Sequence, residues 1–230
     1  LQDKPNKRII ISRKNAYHGS TIASASLGGF KSVHQQFETL PYVEHIVDPN
    51  WFVNGGDLSP EEFGLQAARA LEEKIDQIGE ENIAAFIAEP IQGAGGVIVP
   101  PDSYWPEVSR ILKARDILFI SDEVICGFGR TGSLFGCQTL GTEPDLITFA
   151  KAVTNGFQPL GGVLVSDKVA SVITAKGGEF AHGFTYSGHP IACAAAMATL
   201  DIMQSDNIFQ TVHDHSAPYL QKRWAELGQH

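Results

Sequence analysis

The chain has 230 residues, 43% of them hydrophobic and 19% charged, with a formal net charge of −9. That length holds one large domain, or one domain and part of another, and the composition buries a substantial core, which excludes extensive disorder. The negative balance argues against nucleic acid or an anionic membrane as partner, and no stretch approaches the roughly 20 apolar residues of a spanning helix.

The opening Leu1-Gln2-Asp3-Lys4-Pro5-Asn6-Lys7-Arg8 has no apolar signal core behind its charges. Five short apolar runs follow along the chain, at residues 8–12, 83–88, 117–121, 146–149 and 162–165. Each is continuous rather than alternating, the pattern of parallel strands buried on both faces. Between the first two, Ser59-Pro60-Glu61-Glu62 starts a helix with a capping serine, proline at the first position and acids in the first turn. Phe63, Ala67, Ala70, Leu71, Ile75 and Ile78 then recur at helical spacing, and Gly79 ends the helix. A second helix is expected over residues 101–115, a third from Pro190 to about Met203, and a last one over residues 218–227. Strands alternating with such helices imply a doubly wound α/β domain with a mostly parallel sheet, whose ligands bind at the carboxyl ends of the strands. The three cysteines, Cys126, Cys137 and Cys193, match neither a disulfide framework nor a zinc pattern and read as reduced cytoplasmic thiols.

Two strand ends carry candidate chemistry. Asp122 follows the run 117–121, and the glycine-dense Gly127-Phe128-Gly129-Arg130-Thr131-Gly132 comes soon after it. Lys151 follows the run 146–149. Taken singly, the aspartate is a helix cap or an ion-pair partner and the lysine a solvated charge. A lysine walled by apolar residues at a strand end can, however, lose its proton and attack a carbonyl. At the ends of successive strands the two could line one crevice. A lysine imine together with a carboxylate is what pyridoxal phosphate requires, the amine holding the aldehyde and the acid keeping the ring nitrogen protonated. A plain lysine–aspartate ion pair is the alternative.

Six segments occur in order along residues 8–205: Tyr17-His18-Gly19, Ala88-Glu89-Pro90-Ile91-Gln92-Gly93, Asp122-Glu123-Val124, the Gly127–Gly132 turn, Phe149-Ala150-Lys151 and Phe184-Thr185-Tyr186-Ser187-Gly188-His189-Pro190. Together they resemble the class III (omega-) aminotransferases, pyridoxal-phosphate enzymes of fold type I. The resemblance implies a three-layer large domain with a mostly parallel central sheet. Residues 1–205 would be that cofactor-binding domain, incomplete at its N-terminus, and residues 206–230 the truncated start of a C-terminal small domain. About half of the protein would then lie outside this chain, including the loop that cradles the cofactor phosphate.

The resemblance also implies roles. Lys151 would carry pyridoxal 5'-phosphate as a Schiff base and shuttle the proton, and Asp122 would pair with the pyridinium. Tyr17 would stack on one ring face and Val124 pack on the other. Gln92 would hydrogen-bond the ring hydroxyl, with Glu89 supporting the site. Thr185 would bind the phosphate of a neighbouring subunit, so that a homodimer (or tetramer) is required. Tyr17 as a core aromatic and Thr185 as a helix cap are the bland alternatives. His18 and His189 read as packing or hydrogen-bonding residues, since no metal-ligand spacing occurs. Arg130 is either structural or could orient an acid.

Residues 47–52, 55–58 and 122–127 look like omega-aminotransferases that move amino groups from diamines or other amines to a keto acid such as pyruvate. Two other outcomes stay open: decarboxylation or amino-group migration on the same cofactor, and a non-catalytic fragment or binding module of this fold. A nicotinamide site is disfavoured, because no Gly-x-Gly-x-x-Gly opens the helix after Gly93-Ala94-Gly95-Gly96.

Overall fold

The computed structural model describes residues 3–228; Leu1, Gln2, Gln229 and His230, at the outer ends of the two expected domains, lie outside the described residues. Six strands form one sheet: β1 (Ile9–Arg13), β2 (Val43–Ile46), β3 (Ile83–Ala88), β4 (Leu118–Asp122), β5 (Leu146–Phe149) and β6 (Gly162–Val165), in the order β2-β1-β3-β4-β5-β6. The helices are α1 (Ile22–Leu27), α2 (Lys31–His34), α3 (Trp51–Asn54), α4 (Pro60–Ile78), α5 (Tyr104–Ala114), α6 (Gly136–Thr139), α7 (Asp167–Lys176), α8 (Pro190–Ser205), α9 (Ile208–Thr211) and α10 (Ala217–Leu227). This is an α/β domain built on a mostly parallel sheet, as the alternation of apolar runs and helical patterns implied.

The longest helix forms where its signals stand. Ser59 Oγ accepts the Glu62 N–H at 3.3 Å and Glu62 Oε2 accepts the Ser59 N–H at 2.9 Å, a reciprocal cap with Pro60 as the first helical residue. Gly79 then stops the helix at φ 88°, a value only glycine adopts without strain. The buried stripe of α4, Phe63, Ala67, Leu71 and Ile75, joins Val108, Ile111 and Leu112 of α5 over Ile11, Phe86 and Phe119 of the sheet. A second cluster gathers Phe128, Phe135, Val153 and Ala196 with Ile147 and Phe149, so α8 packs on the segment that follows β5.

Two expectations are corrected. β6 pairs with β5 antiparallel, not parallel. It is not buried on both faces either, because Val163, Leu164 and Val165 point alternately to opposite sides and are 53%, 46% and 41% exposed. An apolar run reports that a strand needs cover but not its direction. β2 was not anticipated, since Val43-Glu44-His45-Ile46 offers two apolar residues only. No helix among the described residues is long and apolar enough to cross a membrane.

Candidate active site

The chain passes from β1 outward to β2, then crosses back to lay β3 on the other side of β1. The carboxyl ends of β1 and β3 therefore flank the switch point of the sheet, where open α/β sheets bind ligands. Beyond β1 lies the turn holding Tyr17 and His18, and beyond β3 the turn from Glu89 to Gly93. Glu89 is buried and clasps both: its Oε1 accepts the Tyr17 N–H at 3.1 Å and its Oε2 accepts the Gly93 N–H at 3.0 Å. One carboxylate thus braces the two loops.

Asp122 ends β4, beside β3 in the sheet, and is 5% exposed. Burying a carboxylate is costly unless donors replace its water. Here Oδ1 accepts the Val124 N–H at 3.1 Å, and Oδ2 lies 2.7 Å from His18 Nδ1. The other ring nitrogen, Nε2, lies 3.2 Å from Ser12 Oγ on β1. Tyr17, Asp122 and Val124 are therefore drawn together, and His18 is the hinge between the first two. Tyr17 is 40% exposed, its ring tilted at 54° to Phe30 and its hydroxyl 3.0 Å from Ser20 Oγ. A cavity of about 190 Å³ opens beside it, toward Gly28, Phe30 and Phe37.

β5 lies next to β4, with Thr148 opposite Asp122, and Lys151 comes three residues after Thr148 as the start of a short 3₁₀ turn. Its φ is +46°, the left-handed region that disfavours a side chain. Lys151 is exposed, and its amine makes no hydrogen bond or ion pair among the described residues. The expected apolar wall around it is absent, since its neighbours Ala150 and Ala152 are too small to cover an amine and are themselves half-buried. No ion pair with Asp122 forms among the described residues; that carboxylate meets His18 and the Val124 N–H.

Gln92 has no exposed surface: its Nε2 donates to the Lys14 carbonyl at 3.0 Å, bracing the β1 turn, while its Oε1 is buried with no hydrogen-bond partner among the described residues. Thr185 lies exposed between α7 and α8, with no hydrogen bond from its hydroxyl among the described residues, and does not join the Asp122 group. Arg130 is exposed and donates from Nε to the Ile125 carbonyl at 3.1 Å, a turn contact. Among the described residues no cluster of His, Cys, Asp and Glu could hold a metal ion.

Glu123 went unassigned from the sequence beyond its place beside Asp122. It is fully buried and accepts the N–H groups of Gly136 at 2.8 Å and Cys137 at 2.7 Å and the Ser121 hydroxyl at 3.3 Å, pinning α6 and the glycine-rich turn to β4. Burial raises its pKa above the ordinary 4.5, against the pull of those backbone donors. Burial also pushes the Cys126 and Cys137 thiols up to about 12, which leaves both inert. A larger concavity of about 660 Å³ lies at the opposite end of the sheet, by Ala84 and Leu118. Its charged lining is surface lysines paired with aspartates (Lys4–Asp116 at 2.7 Å, Lys168–Asp145 at 3.3 Å), and no strand end delivers chemistry to it.

The donor set at the switch point fits a flat nitrogen-bearing aromatic aldehyde. It has a shielded carboxylate, an accessible aromatic face, an apolar side chain and an uncommitted amine on the adjoining strand end. The family model described as Aminotransferase class-III matches residues 1–230. The putrescine–pyruvate aminotransferase of Pseudomonas aeruginosa is 57% identical over 228 residues, covering 99% of this chain and 50% of that protein. The chloroplastic gamma aminobutyrate transaminase 3 of Solanum lycopersicum is 50% identical over 91% of this chain and 41% of its own length. Among solved structures, a thermostable (S)-enantioselective omega-transaminase from Thermomicrobium roseum superposes with a TM-score of 0.92 at 45% identity, over 99% of this chain and 51% of the other. The chain spans about half the length of the curated relatives it matches.

Proposed function

The chain belongs to the class-III aminotransferases, and from that premise we propose that it forms the cofactor-binding domain of a pyridoxal-phosphate enzyme transferring an amino group from an amine or omega-amino acid to a keto acid such as pyruvate. The observation that carries the reading is the buried Asp122 carboxylate at one strand end, with the free Lys151 amine at the end of the adjacent strand. Pyridoxal 5'-phosphate supplies an aldehyde that captures amines and a ring that accepts electrons.

This chain's residues do the rest. Lys151 Nζ would hold the cofactor and, once displaced by substrate, would carry the proton from the carbon that bears the amino group to the cofactor's former aldehyde carbon, and in the opposite direction in the next half-reaction. Asp122 keeps a proton on the ring nitrogen, Tyr17 covers one ring face, and the Val124 side chain excludes water from the other. The exposed Thr185 hydroxyl supports a role toward the phosphate of a neighbouring subunit, and hence a homodimer. The 57% identity to a putrescine–pyruvate enzyme supports a diamine donor and pyruvate as acceptor. Three free cysteines support a cytoplasmic setting. The break after α8, where Asn207 turns at φ 54°, supports a smaller C-terminal domain beginning at residue 206.

The test is Lys151→Ala in the full-length protein. It is expected to lose the visible absorbance of bound cofactor and the formation of alanine from amine and pyruvate. Retention of that absorbance would overturn the assignment of Lys151, and a product other than alanine from the wild type would overturn the reaction.

A further inference from the structure

Arg13 closes β1 with no exposed surface, the bulkiest of the completely buried side chains among the described residues. Its guanidinium lies over two rings at the start of α5, 5.9 Å from the centroid of Tyr104 and 5.5 Å from that of Trp105. Nη2 donates to the Glu89 carbonyl, just past the end of β3. A ring face steadies a cation but offers no lone pair to an N–H bond, so the N–H groups on Nε and Nη1 need acceptors of another kind. Both atoms are buried, and neither has a partner among the described residues.

The Tyr104 hydroxyl is in the same position, completely buried and without a partner among the described residues. Burial raises its pKa above the ordinary 10, the Arg13 guanidinium draws it back down, and the Asp48 carboxylate pushes it up. Guanidinium, phenol and carboxylate are therefore neighbours, yet the two unpartnered donors of Arg13 do not bond to the hydroxyl. Asp48, two residues past β2, is 3% exposed and already engaged. Its Oδ2 accepts from Asn15 Nδ2 at 3.3 Å and its Oδ1 from Asn54 Nδ2 at 3.1 Å.

Buried donors of this kind are satisfied in folded chains by a protein acceptor or by an ordered small molecule. Here that molecule has to accept from the guanidinium and bond to the phenol. An anion could accept, but Asp48 already balances the charge of Arg13, and a second negative charge would be buried without a counterpart. A neutral molecule that both accepts and donates fits the three groups, and water is the smallest such molecule.

We propose that the ends of β1 and β2 and the first turn of α5 enclose a permanent water site, in which one bound water accepts from Arg13 Nε or Nη1 and joins the guanidinium to the Tyr104 hydroxyl. The site stands apart from the function proposed above. It lies under the α5 side of the sheet and, through Nη2, holds the turn from which Glu89 braces the Tyr17 and Gly93 loops.

Two measurements on the full-length protein with its cofactor test it. In a crystal structure from crystals grown with bromide in place of chloride, a water oxygen is expected within hydrogen-bond distance of Tyr104 Oη and of Arg13 Nε or Nη1, with no anomalous bromide signal there. A bromide peak at that point, a direct bond between Arg13 and the Tyr104 hydroxyl, or no density between them would each overturn the proposal. Tyr104→Phe keeps the ring and removes only the hydroxyl. If that hydroxyl carries a bond, the variant should unfold at lower urea, with the unfolding equilibrium shifted about fivefold toward the unfolded chain. An unchanged or higher midpoint is the outcome for a hydroxyl buried with nothing to bond, and it would overturn the proposal. Should the variant not fold, the wild-type crystal structure still decides.

Discussion

Removing the Glu123 carboxylate tests whether a buried acid beside the site is there for architecture. In Glu123→Ala the N–H groups of Gly136 and Cys137, both buried, lose their acceptors. Each stranded donor costs about 1–3 kcal/mol, hence about 2–6 kcal/mol for the pair. The lost charge was itself desolvated, which offsets part of that sum and brings the expected loss to about 2–4 kcal/mol near neutral pH. Urea unfolding at an unchanged slope measures it. Glu123→Gln, which keeps the volume and one acceptor, should fall about halfway. The sign with pH follows from the raised pKa. The folded state binds this proton more tightly than the unfolded chain, so the contribution of Glu123 is greatest below its ordinary 4.5 and declines as pH rises through the raised value. The gap between wild type and Glu123→Ala should therefore narrow from acid to neutral pH. A loss below about 1 kcal/mol, or a gap that widens with pH, would refute the reasoning.

Two further outcomes follow from groups away from the site. Ser59→Ala removes half of the reciprocal cap on α4 and should cost about 1 kcal/mol, with Ser59→Asp retaining most of it, both read by urea midpoint. His45 donates to the Gly28 carbonyl at 2.8 Å, and burial lowers its pKa below 6.5. The unfolded chain takes the proton first as pH falls, so the stability His45 contributes is present above 6.5 and lost as pH drops through the lower folded value. His45→Gln should flatten the decline in stability between about pH 7.5 and about pH 5; an unchanged slope would count against it.

The parts of the fold legible in the sequence are those where local chemistry and burial agree. The cap at Ser59, the stripe from Phe63 to Ile75 and the stop at Gly79 specify α4 nearly to the residue. Residues 83–88, 146–149 and 162–165 are strands at the expected bounds, while the first and fourth strands sit one residue later than their apolar runs suggest. Strand direction at β6 was not legible, because direction depends on how the connection returns to the sheet. α7 was missed: its apolar residues are only half-covered and its pattern is weak. At the site, Asp122 and Lys151 could be placed at adjacent strand ends because a parallel sheet makes that prediction. The partnership of His18 with Asp122 could not, since nothing local encodes a contact across 104 residues. The brace from Gln92 to the Lys14 carbonyl could not be read either, since a polar residue after a strand is as readily a brace as a ligand.

Lys151 sits at φ +46°, where glycine would rest at an energy lower by about 1 kcal/mol. Chemistry and durability therefore pull this position in opposite directions. A library of variants ranked only by resistance to heat would enrich glycine there and discard the amine. Screens for hardier forms of this protein need a turnover criterion from the first round.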